Sequence, residues 1–204
     1  MAPALIEWRR KERLTVPNAA MPRQSFADAL RGALSGLLAL GRRDPVALLL
    51  AEIDRTETQT LRIFREGLGC PEQDLRRMEI CYFAIATATL LFEWLSSDAE
   101  PNEVTDQVVG AVLEDSVAAF EPGLTEDGAM RGYRARAAAY GELLSALLES
   151  AAPTGKGAAL PLLRHLYACV TGADPDGGMD DIAPAAALVE ELIREQAARI
   201  GKRI

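Results

Sequence analysis

Ile80-Cys-Tyr-Phe-Ala-Ile-Ala-Thr-Ala-Thr-Leu-Leu-Phe92 runs thirteen residues without a charge, between Glu79 and Glu93. A bilayer span needs about twenty such residues, so the segment reads as the buried helix of a protein core. Thr87 and Thr89 within it are expected to bond the carbonyls of the preceding turn. Glu79 and Glu93 are expected to be its wetted ends. Fourteen residues apart, they lie roughly 21 Å from each other on a helix. Carboxylates sharing acid/base work stand within about 10 Å, which excludes this pair from such a task.

The same helical grammar continues on both sides. Asp44-Pro45 supplies an N-cap followed by proline at the first helical position, opening a helix to Gly67 or Leu68. Pro71 is expected to start the core helix, which ends near Leu95. Further helices are predicted over Glu103–Phe120, Thr125–Ser150, Ala158–Thr171 and Asp181–Ile200. Upstream, Pro3–Leu14 and Ser25–Leu40 are weaker helical candidates, separated by Pro17 and Pro22. Alternating strand patterns between turn dipeptides are absent. The expected fold is all-α: a single bundle of about seven or eight helices, mostly antiparallel neighbours, over residues 25–204. Residues 1–24 form a basic, proline-containing N-terminal segment. In the Thr125–Ser150 helix, Met130, Tyr133, Ala137, Tyr140, Leu144 and Leu147 step by threes and fours. That seam suits packing within the bundle, with a homodimer interface as the other use of it.

Charge is distributed unevenly. Residues 1–43 carry a net +5 and residues 44–204 a net −13, within a total of −8. From Met78 to Met130 there is no lysine or arginine, yet eleven acidic side chains. Local ion pairs cannot neutralise such a window, so the balance must come from elsewhere in the fold, counter-ions or a basic partner. The same excess argues against nucleic acid or an anionic membrane surface as the main partner. Arg9, Arg10, Lys11 and Arg13 are the local exception, and Glu7 and Glu12 interrupt them.

Recognisable cofactor and metal chemistry is missing from the chain. Cys70, Cys81 and Cys169 are widely spaced, without C-x-x-C or zinc-type pairing, so free thiols in a reducing cytoplasm are expected. Arg9-Arg10 lacks the apolar run of an export signal, since Pro17, Pro22 and polar residues follow. Thr154-Gly-Lys-Gly157 lacks the first glycine and the Ser/Thr of a phosphate-binding loop. Asp174-Pro-Asp-Gly-Gly-Met-Asp-Asp181 fails the calcium-loop pattern at Gly178, Met179 and Ala185, and reads as a turn with Asp180 or Asp181 capping the next helix.

Two polar residues stand out as ligand-binding candidates. Glu57 interrupts the apolar stripe Val46, Leu49, Leu50, Ile53, Leu61, Phe64, Leu68, with Thr56 and Thr60 beside it. A carboxylate there is paired, raised in pKa or turned to solvent. Its expected environments are an arginine from Arg131–Arg136, solvent, or a ligand. His165, the only histidine, lacks a glutamate three residues before it and a nucleophile turn nearby. A core-edge imidazole bonded to a neighbour is the expectation.

These readings favour a cytoplasmic interaction module (adaptor, chaperone or inhibitor) whose acidic surface meets a basic protein. Asp98, Glu100, Glu103, Glu121, Glu126 and Asp127 are its candidate contact residues. They cluster at two interhelical breaks, giving an acidic flank with two tips. The other class is a small-molecule-binding bundle or enzyme with a pocket around Glu57, aided by His165, Tyr133 or Tyr140.

Overall fold

A computed structural model describes residues 44–96, 101–149, 158–173 and 179–202. The two upstream helix candidates and the 1–24 segment lie outside them. Six α-helices, and no strand, make up the described residues: α1 Pro45–Arg62, α2 Arg77–Leu95, α3 Pro101–Phe120, α4 Glu126–Glu149, α5 Leu160–Thr171 and α6 Met179–Gly201. The all-α bundle is as expected.

α2 is the axis of the bundle, and the other five helices pack around it. Ile80, Cys81, Phe83, Ala84, Ile85, Ala86, Thr87 and Ala88 are wholly removed from water. Because the residues are apolar all round, the helix needs cover on every side. α2 is long and apolar enough to cross a bilayer by length and composition, but its neighbours bury most of it. Thr87 Oγ1 donates to the Phe83 carbonyl at 3.0 Å and Thr89 Oγ1 to the Ile85 carbonyl at 2.9 Å. Both hydroxyls are therefore compatible with an apolar setting, as anticipated.

Asp44 caps α1, its Oδ1 accepting from the Val46 N–H at 2.9 Å, with Pro45 at the first helical position. The α-helix gives way at Arg62 to a π-turn over Ile63–Gly67, closed by Leu68 N–H to the Ile63 carbonyl at 3.0 Å. The core helix does not start at Pro71. A 3₁₀ turn at Glu72–Asp74 comes first, and Leu75 and Arg76 are extended. Leu75 is pulled into the core, and the Arg76 N–H bonds the Val170 carbonyl of α5 at 2.8 Å. Tertiary contacts thus override the helix-start signal of the proline.

Neighbour directions follow from side-chain pairs. Cys81 meets Ser116 at 3.0 Å while Glu93 accepts from Thr105 at 2.9 Å, so α2 and α3 are antiparallel. Arg199 bonds Glu52, and Gly67 abuts Leu188 and Ala185, so α1 and α6 are antiparallel too. The α4 seam is used inside the bundle: Tyr140, Leu144 and Leu147 are buried, and Met130, Tyr133 and Ala137 pack against the core. α5 ends at Gly172 in the left-handed conformation at φ 74°, a geometry that glycine adopts without penalty. α6 begins at Met179, so Asp180 and Asp181 fall inside its first turn and not ahead of it.

Candidate functional site

Two buried carboxylates, Glu52 and Glu57, and a third that is mostly covered, Glu79, organise the polar interior, and each is held by an arginine from another helix. Glu52 of α1 accepts from Arg199 Nε at 3.0 Å. Glu57 of α1 accepts from Arg77 Nη2 at 2.9 Å. Glu79 of α2 takes a two-point contact from Arg136 of α4, at 2.7 and 2.8 Å. Charges removed from water persist only when paired in this way.

Glu57 is therefore buried, as its place in the apolar stripe suggested, but its partner is not in the Arg131–Arg136 segment. Arg77 is closer because the 3₁₀ turn brings the first turn of α2 against the middle of α1. Arg77 also lies 3.6 Å from Glu72 and 5.0 Å over the Phe120 ring. Burial pushes the Glu57 carboxyl up; the hydrogen bond and charge of Arg77 oppose that, and Asp54 adds to it. A ligand at Glu57 would have to displace an arginine already in place.

Glu79 is not a wetted end of the core helix. Its side chain is 13% exposed and locked to Arg136. Around that pair lie Tyr140 of α4 and His165 and Cys169 of α5. The Tyr140 and His165 rings meet edge to face, 5.3 Å between centroids. His165 Nε2 stands 3.7 Å from Cys169 Sγ, so the imidazole is the half-buried, hydrogen-bonded group expected. Burial lowers its pKa, with the Arg136 charge adding to the shift and Glu79 opposing it. Cys169 is half-buried. Cys81 is fully buried, and burial pushes its thiol up to about 12. All three cysteines are free.

A third polar group was missed by the sequence reading. Gln196 is completely buried, and neither its amide nitrogen nor its oxygen has a partner. It stands in the stripe Val189, Ile193, Gln196, Ile200, whose other members are all core. That stepping was visible in the sequence, and the same reasoning that singled out Glu57 would have found it. Thr56 Oγ1, Thr60 Oγ1 and Arg199 Nη2 are likewise buried without a partner. The antiparallel register puts Thr56 and Gln196 each one turn along from the Glu52–Arg199 pair.

The acidic candidates lie elsewhere. Glu103, Glu121, Glu126 and Asp127 are exposed. Glu103 is in the first turn of α3 and Glu126 and Asp127 in the first turn of α4, where helix dipoles favour them. Asp98 and Glu100 lie outside the described residues. Asp106 and Glu114 add to the exposed face of α3. Glu103 and Glu121 are about 27 Å apart along that helix. No known protein family, curated protein or solved structure matches the chain.

Proposed function

We propose that this protein is a cytoplasmic helical interaction module whose acidic α3 face receives a basic protein partner. The observation that carries the reading is how the arginines are used. Arg77, Arg136 and Arg199 are committed to Glu57, Glu79 and Glu52 inside the bundle. None of the ion pairs among the described residues draws on Glu103, Asp106, Glu121, Glu126 or Asp127. With no basic residue from Met78 to Met130, α3 and the start of α4 present one sign of charge to solvent. Such a face attracts and orients a complementary surface through long-range steering.

The test is native mass spectrometry of the protein purified from its own source cells. Wild-type protein should carry a basic protein at about 0.1 M salt and release it by about 1 M, where exposed charge contacts are screened. The variant Glu103→Gln/Asp106→Asn/Glu121→Gln should carry none. The same partner held by the variant, or held through high salt, would refute recognition by charge.

A further inference from the structure

Trp94 and Leu95 end the core helix, and they are 46% and 43% exposed. Among the described residues only Leu188 is a comparably large apolar side chain in solvent. Both exposures have one geometric cause. Leu95 abuts Gly201 at the end of α6, and α6 is antiparallel to α1, so α2 is antiparallel to α1 as well. From the Arg77–Glu57 contact, Asp44 lies thirteen residues back along α1 and Leu95 eighteen residues along α2. Eighteen residues make about five turns, so Leu95 keeps the side of α2 that faces α1 yet projects about 7–8 Å beyond the start of that helix. Trp94 stands in the same relation to α5. It lies eighteen residues beyond Arg76, whose N–H bonds the Val170 carbonyl. From there α5 runs back about 15 Å to Leu160, against about 27 Å along α2 to Trp94. The end of α2 therefore outruns its cover on two sides.

We infer that Ser25–Leu40 of the same chain docks on this end of the bundle as an amphipathic helix, covering Trp94 and Leu95. Residues 1–43 lie outside the described residues and join the bundle at Asp44, beside the overhang. The link Gly41-Arg42-Arg43 reaches up to about 10 Å, enough to pass from Asp44 to the level of Leu95. Connections of this length are usual between helices packed as neighbours.

The sequence of the segment fits the surface. Phe26, Leu30, Leu34 and Leu37 step by four, four and three, giving one apolar helical face, with Asp28, Arg31 and Ser35 opposite. Gly32 and Gly36 weaken such a helix on its own, so packing has to hold it. Arg42 and Arg43 fall beside the C-terminal ends of α2 and α6, where the helix dipoles favour positive charge. A tether of three residues also keeps the segment at an effective concentration of about millimolar or more, which selects it over a separate molecule. The acidic face of α3 takes no part, so this inference stands apart from the proposed partner site.

The experiment uses the full-length chain. In Trp8→Phe protein, Trp94 is the only tryptophan. Its emission should lie to the blue of free tryptophan, as for a covered indole. Adding Leu30→Gln and Leu37→Gln, which leaves every bundle residue in place, should shift it to the red and ease quenching by acrylamide. Hydrogen exchange supplies the reciprocal readout. Amides of residues 25–40 should be slowed by about tenfold or more in wild type. They should lose that protection in Trp94→Gln/Leu95→Gln, while the Ile80–Phe92 amides keep theirs. Light scattering should show a monomer. A solvent-like Trp94 emission, an emission indifferent to Leu30→Gln/Leu37→Gln, or protection of residues 25–40 that survives loss of Trp94 and Leu95 would overturn the assignment. Protection confined to a dimer would overturn it too, because a second copy would then supply the cover.

Discussion

Arg77 Nη2 reaches 2.9 Å to Glu57 Oε1, fastening the first turn of the core helix to the middle of α1. The carboxylate is 9% exposed and the guanidinium 29%, so the pair is only partly screened. Removing the arginine leaves a buried charge without compensation, which costs about 3–5 kcal/mol at fully buried sites. Arg77→Met should lower stability by about 2–3 kcal/mol after allowing for that exposure, read as a fall in the urea midpoint.

Glu57 should also leave a mark on the pH profile. Burial places its folded-state pKa above the unfolded one, against the opposing pull of Arg77. The stabilisation that comes with the protonated acid is complete below the unfolded pKa. It is lost as pH rises through the folded value. Across the mildly acidic range, wild type should therefore lose stability relative to Glu57→Gln as pH increases. A difference that grows in the other direction would show that Arg77 dominates.

Gln196 offers the opposite case, a polar side chain whose removal helps. Its amide is wholly buried and unpartnered, and such groups carry a desolvation penalty of about 1–3 kcal/mol. Gln196→Met keeps length and flexibility while removing both orphans. The variant should gain about 1–2 kcal/mol in urea denaturation, and a loss would reveal a partner for the amide.

Gly172 closes α5 at φ 74°. A side chain there meets both an unfavourable backbone region and the Arg76 guanidinium. Gly172→Ala should cost about 1–2 kcal/mol, with the melting temperature falling accordingly. Gly110, with nothing near its open side, is the control: Gly110→Ala in mid-helix should be neutral or stabilising.

Like charges along α3 repel one another whether or not a partner is present. Neutralising Glu103, Asp106 and Glu121 should raise stability by a few tenths of a kcal/mol at low salt. The gain should vanish near 1 M salt, where the Debye length is about 3 Å.

Much of this architecture was legible in the chain because α2 is apolar on every face, and caps such as Asp44-Pro45 are local signals. The buried position of Glu57 was legible for the same reason, since helical spacing alone puts it among core residues. The identity of its partner was not. That depends on Leu75 and Arg76 breaking the helix expected from Pro71, a choice made by contacts with α5 far away in sequence. Glu79 was misread as solvent-facing because its arginine comes from 57 residues downstream. The His165–Cys169 contact needed only i,i+4 spacing, whereas the edge-on Tyr140 ring against His165 came from how α5 sits on α4.

The central position of α2 also bears on how the chain is made. During synthesis this segment leaves the ribosome before α3, α4, α5 and α6 exist. Only α1 is then present, among the described helices, to shield its bare hydrocarbon. Until translation delivers the C-terminal helices, the nascent polypeptide displays a stretch whose composition alone would suit a lipid environment. Stalled or truncated products should therefore be clients of holdase chaperones and prone to precipitate, while the finished chain conceals most of the liability.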